Sequence, residues 1–229
     1  MVQRIERQFA GRNLTVEKGR MARQAAGSCL IQFGETVILV AATAQENPTH
    51  LPFFPLTVEY REKSYAAGKI PGGFFKREGR PGEKEILSAR LIDRPLRPLF
   101  PDGFMHETQV ACFPMSADQE NDADVWGIMG ASLTLNMSHI PFNTLLAGVR
   151  IGRIQGNWVL NPTFQQLEYS DVDIVVAGTE FERRIQVSSS SGKPFEITSI
   201  EQQTNLGDEI FSVDLQEAES GSEASRVLV

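Results

Sequence analysis

Two adjacent aromatics and a set of cations share one glycine-rich stretch. Residues 70–82 run Ile-Pro-Gly-Gly-Phe-Phe-Lys-Arg-Glu-Gly-Arg-Pro-Gly, so Phe74 and Phe75 stand beside Lys76, Arg77 and Arg80. Flat rings next to cations suit single-stranded nucleic acid: bases stack on the rings at about 1–3 kcal/mol each, and the backbone follows the positive charge. A Phe-Phe pair taken alone belongs more often to a core. Here Pro71, Gly72 and Gly73 precede it and Gly79, Pro81 and Gly82 follow. Such punctuation marks a surface loop. Residues 61–97 carry ten Lys or Arg against five Asp or Glu. The net charge of the chain is −7, but residues 180–229 hold ten acids and four bases. The remainder carries 19 acids and 18 bases, a balanced body in which a local basic loop can still meet a polyanion.

Other residues offer less. Arg90 and Arg94 are four apart and share one side of a helix if it persists that far; with Arg97 they form a phosphate-facing row or a set of solvated arginines. Asp171 and Asp173 are two apart and face the same way on a strand. Their oxygens could hold Mg²⁺, and a polar start to a strand accounts for them equally. Ser188–Ser191 before Gly192 has the form of an anion nest or of a serine-rich linker. His50, His106 and His139 lack the spacing of a zinc site. Cys29 and Cys112 lie far apart in apolar surroundings and are expected as buried, reduced thiols. With no signal core and no run of membrane-spanning length, a soluble, cytoplasmic chain without a membrane partner is expected; an organelle destination after loss of a transit peptide stays open.

These residues need elements to position them. Ser28–Phe33 and Thr36–Ala42 are strand-like and joined by Gly34-Glu35, a two-residue hairpin with glycine first. Leu56–Tyr60 is a short strand presenting Leu56, Val58 and Tyr60 on one face. Glu83–Leu91 is helical, with Glu83 and Glu85 at the positive end of its dipole. Leu87 and Leu91, supported by Ile86, are expected on its inner face, and Pro95 and Pro98 end or kink it. Glu107–Met115 is a strand, and Asp122–Ser138 a second helix whose Gly127, Gly130, Ala131 and Ser132 allow close approach. Leu146–Ile154 and Trp158–Leu160 flank a hairpin turn, and Ile174–Ala177 is a further strand. Strands mixed with two helices on an open sheet make an α+β domain. After Thr179 the composition turns acidic and Ser-rich, and Glu217–Ser225 is of linker or disordered composition. Arg183–Val187 and Phe195–Ile200 are strand-like.

Residues 1–179 resemble the first core domain of polynucleotide phosphorylase, a ribonuclease-PH-type domain. The resemblance runs in order through 17–25 (Glu-Lys-Gly-Arg-Met-Ala-Arg-Gln-Ala), 54–60 (Phe-Pro-Leu-Thr-Val-Glu-Tyr), the loop at 65–81 and 90–101 (Arg-Leu-Ile-Asp-Arg-Pro-Leu-Arg-Pro-Leu-Phe-Pro). It continues through 140–143, 160–163 and 173–179. It implies an α+β fold and a 3′→5′ exoribonuclease in which inorganic phosphate attacks the terminal phosphodiester of RNA and releases a nucleoside diphosphate. It also implies Mg²⁺, a homotrimeric ring around a channel, single-stranded RNA as partner, and membership of an RNA-degradation complex. The family's Phe-Phe-Arg-Arg-Glu loop lines the channel constriction, a role that passes to Phe74, Phe75, Arg77, Arg80 and, with lysine in place of arginine, Lys76. Lysine lacks the planar two-pronged contact of arginine. The family's catalytic, metal and phosphate residues belong to a second core domain, so none is expected catalytic here. Residues 180–229 do not follow the family pattern. Truncation, fusion or a frame change would each produce that departure, leaving a non-catalytic RNA-binding or assembly module, or an orphan fragment, as alternatives.

Overall fold

The computed structural model describes residues 2–179, together with the backbone of three strands at 183–188, 215–216 and 226–228. Two six-stranded sheets hold a buried helix between them. In the first sheet β1 (Gln3–Phe9), β2 (Arg12–Lys18), β3 (Gly27–Phe33) and β4 (Thr36–Pro48) run antiparallel in sequence order. Next come β6 (His106–Ser116), antiparallel to β4, and β5 (Leu56–Tyr60), parallel to β6 at the edge. A parallel neighbour requires a crossover, and that crossover carries the basic loop and helix α1 (Glu83–Leu96).

The second sheet has the order β11-β12-β10-β9-β7-β8. It comprises β7 (Ala147–Ile154), β8 (Asn157–Leu160), β9 (Asp173–Gly178), β10 (Arg183–Ser188), β11 (Leu215–Gln216) and β12 (Arg226–Leu228). The domain is therefore α+β with two sheets, where one open sheet was expected. The strand expected at Arg183–Val187 pairs with β9 from Arg183 opposite Gly178. Phe195–Ile200, Ser189–Ser191 and Glu217–Ser225 lie outside the described residues.

Helix α2 (Asp124–Asn136) is the centre of the fold, and ten of its residues are buried. Apolar all round, it suits a position between two layers. Its small residues admit those layers, as their spacing predicts. A Cβ on Gly130 would stand 2.6 Å from Val40 Cγ2 on β4, and one on Gly127 would stand 2.6 Å from Ile92 Cδ1 on α1. A Cβ on Gly148 of β7 would stand 3.0 Å from Ile128 Cδ1. Cys29 and Cys112 lie in this core as free thiols, and burial pushes the Cys29 thiol up to about 11.

Helix α1 departs from its expected orientation. Ser88, Ile92, Pro95 and Leu96 are buried, while Ile86 and Leu87 are about half exposed and Leu91 is only partly covered. The notch at Gly127 takes Ile92, and that contact sets the helix rotation. The helix also runs past Leu91 to Leu96, and a 3₁₀ turn follows at Arg97–Leu99. Three elements carry little apolar periodicity and were not expected: β1, exposed except at Phe9, β2, and the short helix α3 (Phe164–Glu168).

A candidate nucleic-acid interface

The loop leaves β5 at Arg61 and reaches α1 at Gly82. Its first part turns once as a 3₁₀ helix, Ser64–Ala67, closed by Gly68 at φ 66°. Glycine takes this left-handed conformation without the strain a Cβ brings. The amide of Ala117, after β6, donates to Ala66 O and pins that turn to the sheet. Beyond it, every residue from Gly72 to Arg80 is exposed. Phe74 is 92% and Phe75 79% exposed, their rings edge-to-face with centroids 5.5 Å apart. Lys76, Arg77 and Arg80 follow them along the loop, all exposed.

Polar bonds, rather than packing, close the base of the loop. On the outgoing side, Ser64 N–H donates to Glu78 Oε1 at 2.7 Å, and the Arg61 guanidinium donates to Gly79 O at 2.8 Å. That backbone bond holds the Glu78 carboxyl below its ordinary range. On the helix side, Glu85 accepts Glu62 N–H at 2.8 Å and Gly82 N–H at 2.6 Å, one on each oxygen. Arg61 Nε stands 3.4 Å from the same carboxylate. Sequence reasoning placed Glu85 only as a favourable charge at a helix start. Its spacing from Gly82 was the available signal, because an acid at the third helical position reaches back to the capping amide.

Arg90 and Arg94 of α1 and Arg97 of the 3₁₀ turn after it do not form a uniform row. Arg90 and Arg94 are exposed, and Arg90 borders an open groove of about 350 Å³ between α1 and the edge of β5. Arg97 turns inward. It bonds Asp93 through two nitrogens and donates to Phe54 O and Leu56 O at 3.0 Å each. Its donors thus cap carbonyls beside strand β5, and the phosphate-facing position expected for it is filled by protein.

Asp171 and Asp173 also part company. Asp171 lies in the turn before β9 and pairs with Arg153, whereas Asp173 opens β9 and pairs two-pronged with Arg150 at 2.7 and 2.8 Å. Each carboxylate is already paired with a guanidinium, so this donor set does not fit Mg²⁺. Among the described residues, no group of three or more His, Cys, Asp or Glu is arranged to hold a metal.

Arg150 belongs to a larger network that sequence reasoning missed. It also bonds Asp122 at 2.8 Å, Lys84 approaches Asp122 at 3.6 Å and Glu62 at 2.9 Å, and Tyr60 OH donates to Glu62 at 3.0 Å. The chain of contacts links β5, α1, the start of α2, β7 and β9, and so ties the loop base to the second sheet. At its buried end Asp124 is pushed up to about 7, first by burial and then by the charge of Asp122.

A two-sheet α+β domain with a buried central helix and a projecting basic aromatic loop is of the ribonuclease PH type. Residues 10–141 match the 3′ exoribonuclease family, domain 1, and residues 144–207 match domain 2 of that family. The chain belongs to the 3′ exoribonuclease family. It is 66% identical over 177 residues to the polyribonucleotide nucleotidyltransferase of Gemmatimonas aurantiaca, covering 77% of this chain and 24% of that protein. To the protein of the same name from Halalkalibacterium halodurans it is 58% identical over 172 residues, covering 75% and 24%. The chain thus spans about a quarter of the length of the curated relatives it matches. The crystal structure of rice (Oryza sativa) Rrp46 shares the fold with a TM-score of 0.58 at 15% identity, covering 73% of this chain and 74% of that one. Among the described residues no helix is long and apolar enough to cross a membrane.

Proposed function

We propose that this chain is the RNA-guiding segment of a phosphate-dependent 3′→5′ exoribonuclease. Phe74 and Phe75 are the stacking platform, and Lys76, Arg77 and Arg80 contact the RNA backbone, with Arg90 and Arg94 extending the basic surface. One observation carries this reading: the chain leaves two adjacent phenylalanines 92% and 79% exposed among cations. Burying such a side chain stabilises a fold by about 1.5–3 kcal/mol. Two left in water at one loop tip are best explained by bases that cover them.

In the phosphate-dependent reaction proposed here, phosphate attacks the phosphorus of the terminal 3′ linkage, the 3′ oxygen of the shortened RNA leaves, and a nucleoside 5′-diphosphate is released. Anions converge in such a step, so cations must offset them. The arginine-matched pair Asp171 and Asp173 supplies no Mg²⁺ site, and we assign no chemical step to this chain. Its part is to bind and orient the strand. Inorganic phosphate, Mg²⁺, a homotrimeric ring, an RNA-degradation complex and a cytoplasmic location belong to the whole protein in this proposal. Residues 1–179 form its ribonuclease-PH-like part, the family match continues to residue 207, and the residues beyond are an acidic extension.

Fluorescence anisotropy of a labelled single-stranded RNA tests the reading. Two stacked bases contribute about 2–6 kcal/mol, so F74A/F75A binds at least about 30-fold more weakly with its melting temperature unchanged. Equal affinity of the double variant and the native chain removes the stacking role. A second reading, an RNA-binding module without catalysis, is favoured by the arginine-matched carboxylates. Nucleoside diphosphate release by this chain from 3′-hydroxyl RNA, phosphate and Mg²⁺ would reject it.

A further inference from the structure

The exposed tip of the loop has no packing of its own, yet a stacking platform works only if its rings are held in place. The restraint lies at the base, in two carboxylates that face backbone amides. We propose that Glu85 and Glu78 are positioning residues of the RNA interface, setting the separation of the two loop stems and through it the placement of Phe74 and Phe75. This inference rests on the RNA-guiding reading and names how the protein prepares that site.

The geometry is specific to each acid. Glu85 spends its two oxygens on amides from opposite stems, Glu62 N–H on the outgoing side and Gly82 N–H on the returning side. A carboxylate is acceptor-only and can serve both. Glutamine has the same size and one acceptor oxygen, so its NH₂ group would meet one of the amides donor to donor. Glu78 accepts Ser64 N–H on Oε1 and also interacts with the Ser64 hydroxyl; both donors come from one stem, and glutamine's oxygen can keep the amide bond. Arg61 closes the remaining side through Gly79 O and the Glu85 carboxylate. The two acids therefore respond differently to the same isosteric change, whereas general loss of negative charge near the RNA would affect both alike.

The test measures single-stranded RNA affinity by anisotropy for the native chain, E85Q, E78A, E78Q, F74A/F75A and the triple variant E85Q/F74A/F75A. The expected results are about five-fold or greater weakening by E85Q, weakening by E78A, and recovery in E78Q relative to E78A. E85Q is expected to cause no further loss on the F74A/F75A background, because Glu85 acts through those rings. Amide hydrogen exchange at Glu62 and Gly82 rises in E85Q with the α2 amides unchanged, which separates local opening from unfolding. Equal losses from E85Q in both backgrounds, or native affinity in E85Q, overturns the positioning role while leaving the platform intact. Native affinity in F74A/F75A instead removes the platform, and the positioning role with it.

Discussion

Replacing Asp124 by asparagine tests the energetics of the charge network between the sheets. Asp124 is only 8% exposed in the first turn of α2. Burial and the neighbouring Asp122 raise its carboxyl from 3.8 to about 7, against the pull of Arg150, the Val125 N–H bond and Lys84. The unfolded chain ionises this group near its ordinary value, so between about pH 4 and pH 7 the folded state binds the extra proton. Stability therefore falls as pH rises through that window and levels off above it. At about 1.4 kcal/mol per pKa unit, the loss is on the order of 4 kcal/mol. D124N has the same shape, stays neutral, and keeps an oxygen for the Val125 N–H that Asp124 accepts at 2.6 Å. Thermal melts across pH 4 to 8.5 are the assay. The variant should match the native chain near pH 4 and gain progressively above it, reaching a rise on the order of 10 °C near pH 8. An offset independent of pH, or a less stable variant at pH 8, would show that Arg150 and Lys84 compensate the ionised carboxylate fully and would refute the reasoning.

Two further substitutions separate packing from binding. A Cβ on Gly27 would stand 2.3 Å from the Thr134 carbonyl oxygen of α2, a backbone atom that cannot swing away. G27A should lower stability by about 1–3 kcal/mol or more in urea unfolding, whereas G72A, with open space around it, should not. R97A should destabilise by about 1–3 kcal/mol through loss of its bonds to Asp93 and to the Phe54 and Leu56 carbonyls and leave the salt dependence of RNA affinity unchanged. R77A should do the reverse, lowering the slope of log affinity against log salt by about 0.7 with an unchanged melt.

The loop and most elements were legible because their signals are local. Gly-Gly-Phe-Phe-Lys-Arg between prolines marks an exposed loop whichever surfaces surround it. Gly34 turns the β3–β4 hairpin at φ 61°, and Gln155 and Gly156 turn β7 into β8 with positive φ at both residues. The small residues of α2 announced close approach, and Gly127 and Gly130 supply it. Strand β1 escaped because its side chains are exposed except at Phe9, so no alternation of apolar residues marks it; antiparallel pairing with β2 makes it a strand.

What the sequence by itself determined is composition and local geometry: an α+β chain, a cation-rich aromatic loop, its flanking helix, and turns built on residues that tolerate positive φ. Tertiary structure decided which chemistry is left over for a ligand. Arg97 looks like its neighbours Arg90 and Arg94 along the chain, but carbonyls 41 and 43 residues away consume its donors. Asp173 looks like a metal ligand until Arg150, 23 residues distant, occupies it. Glu85 becomes a two-stem clamp only because the loop returns to it. Hydrogen bonds are short-ranged and directional, so a polar side chain's role follows from what the fold brings within about 3 Å, and residue type alone leaves it open.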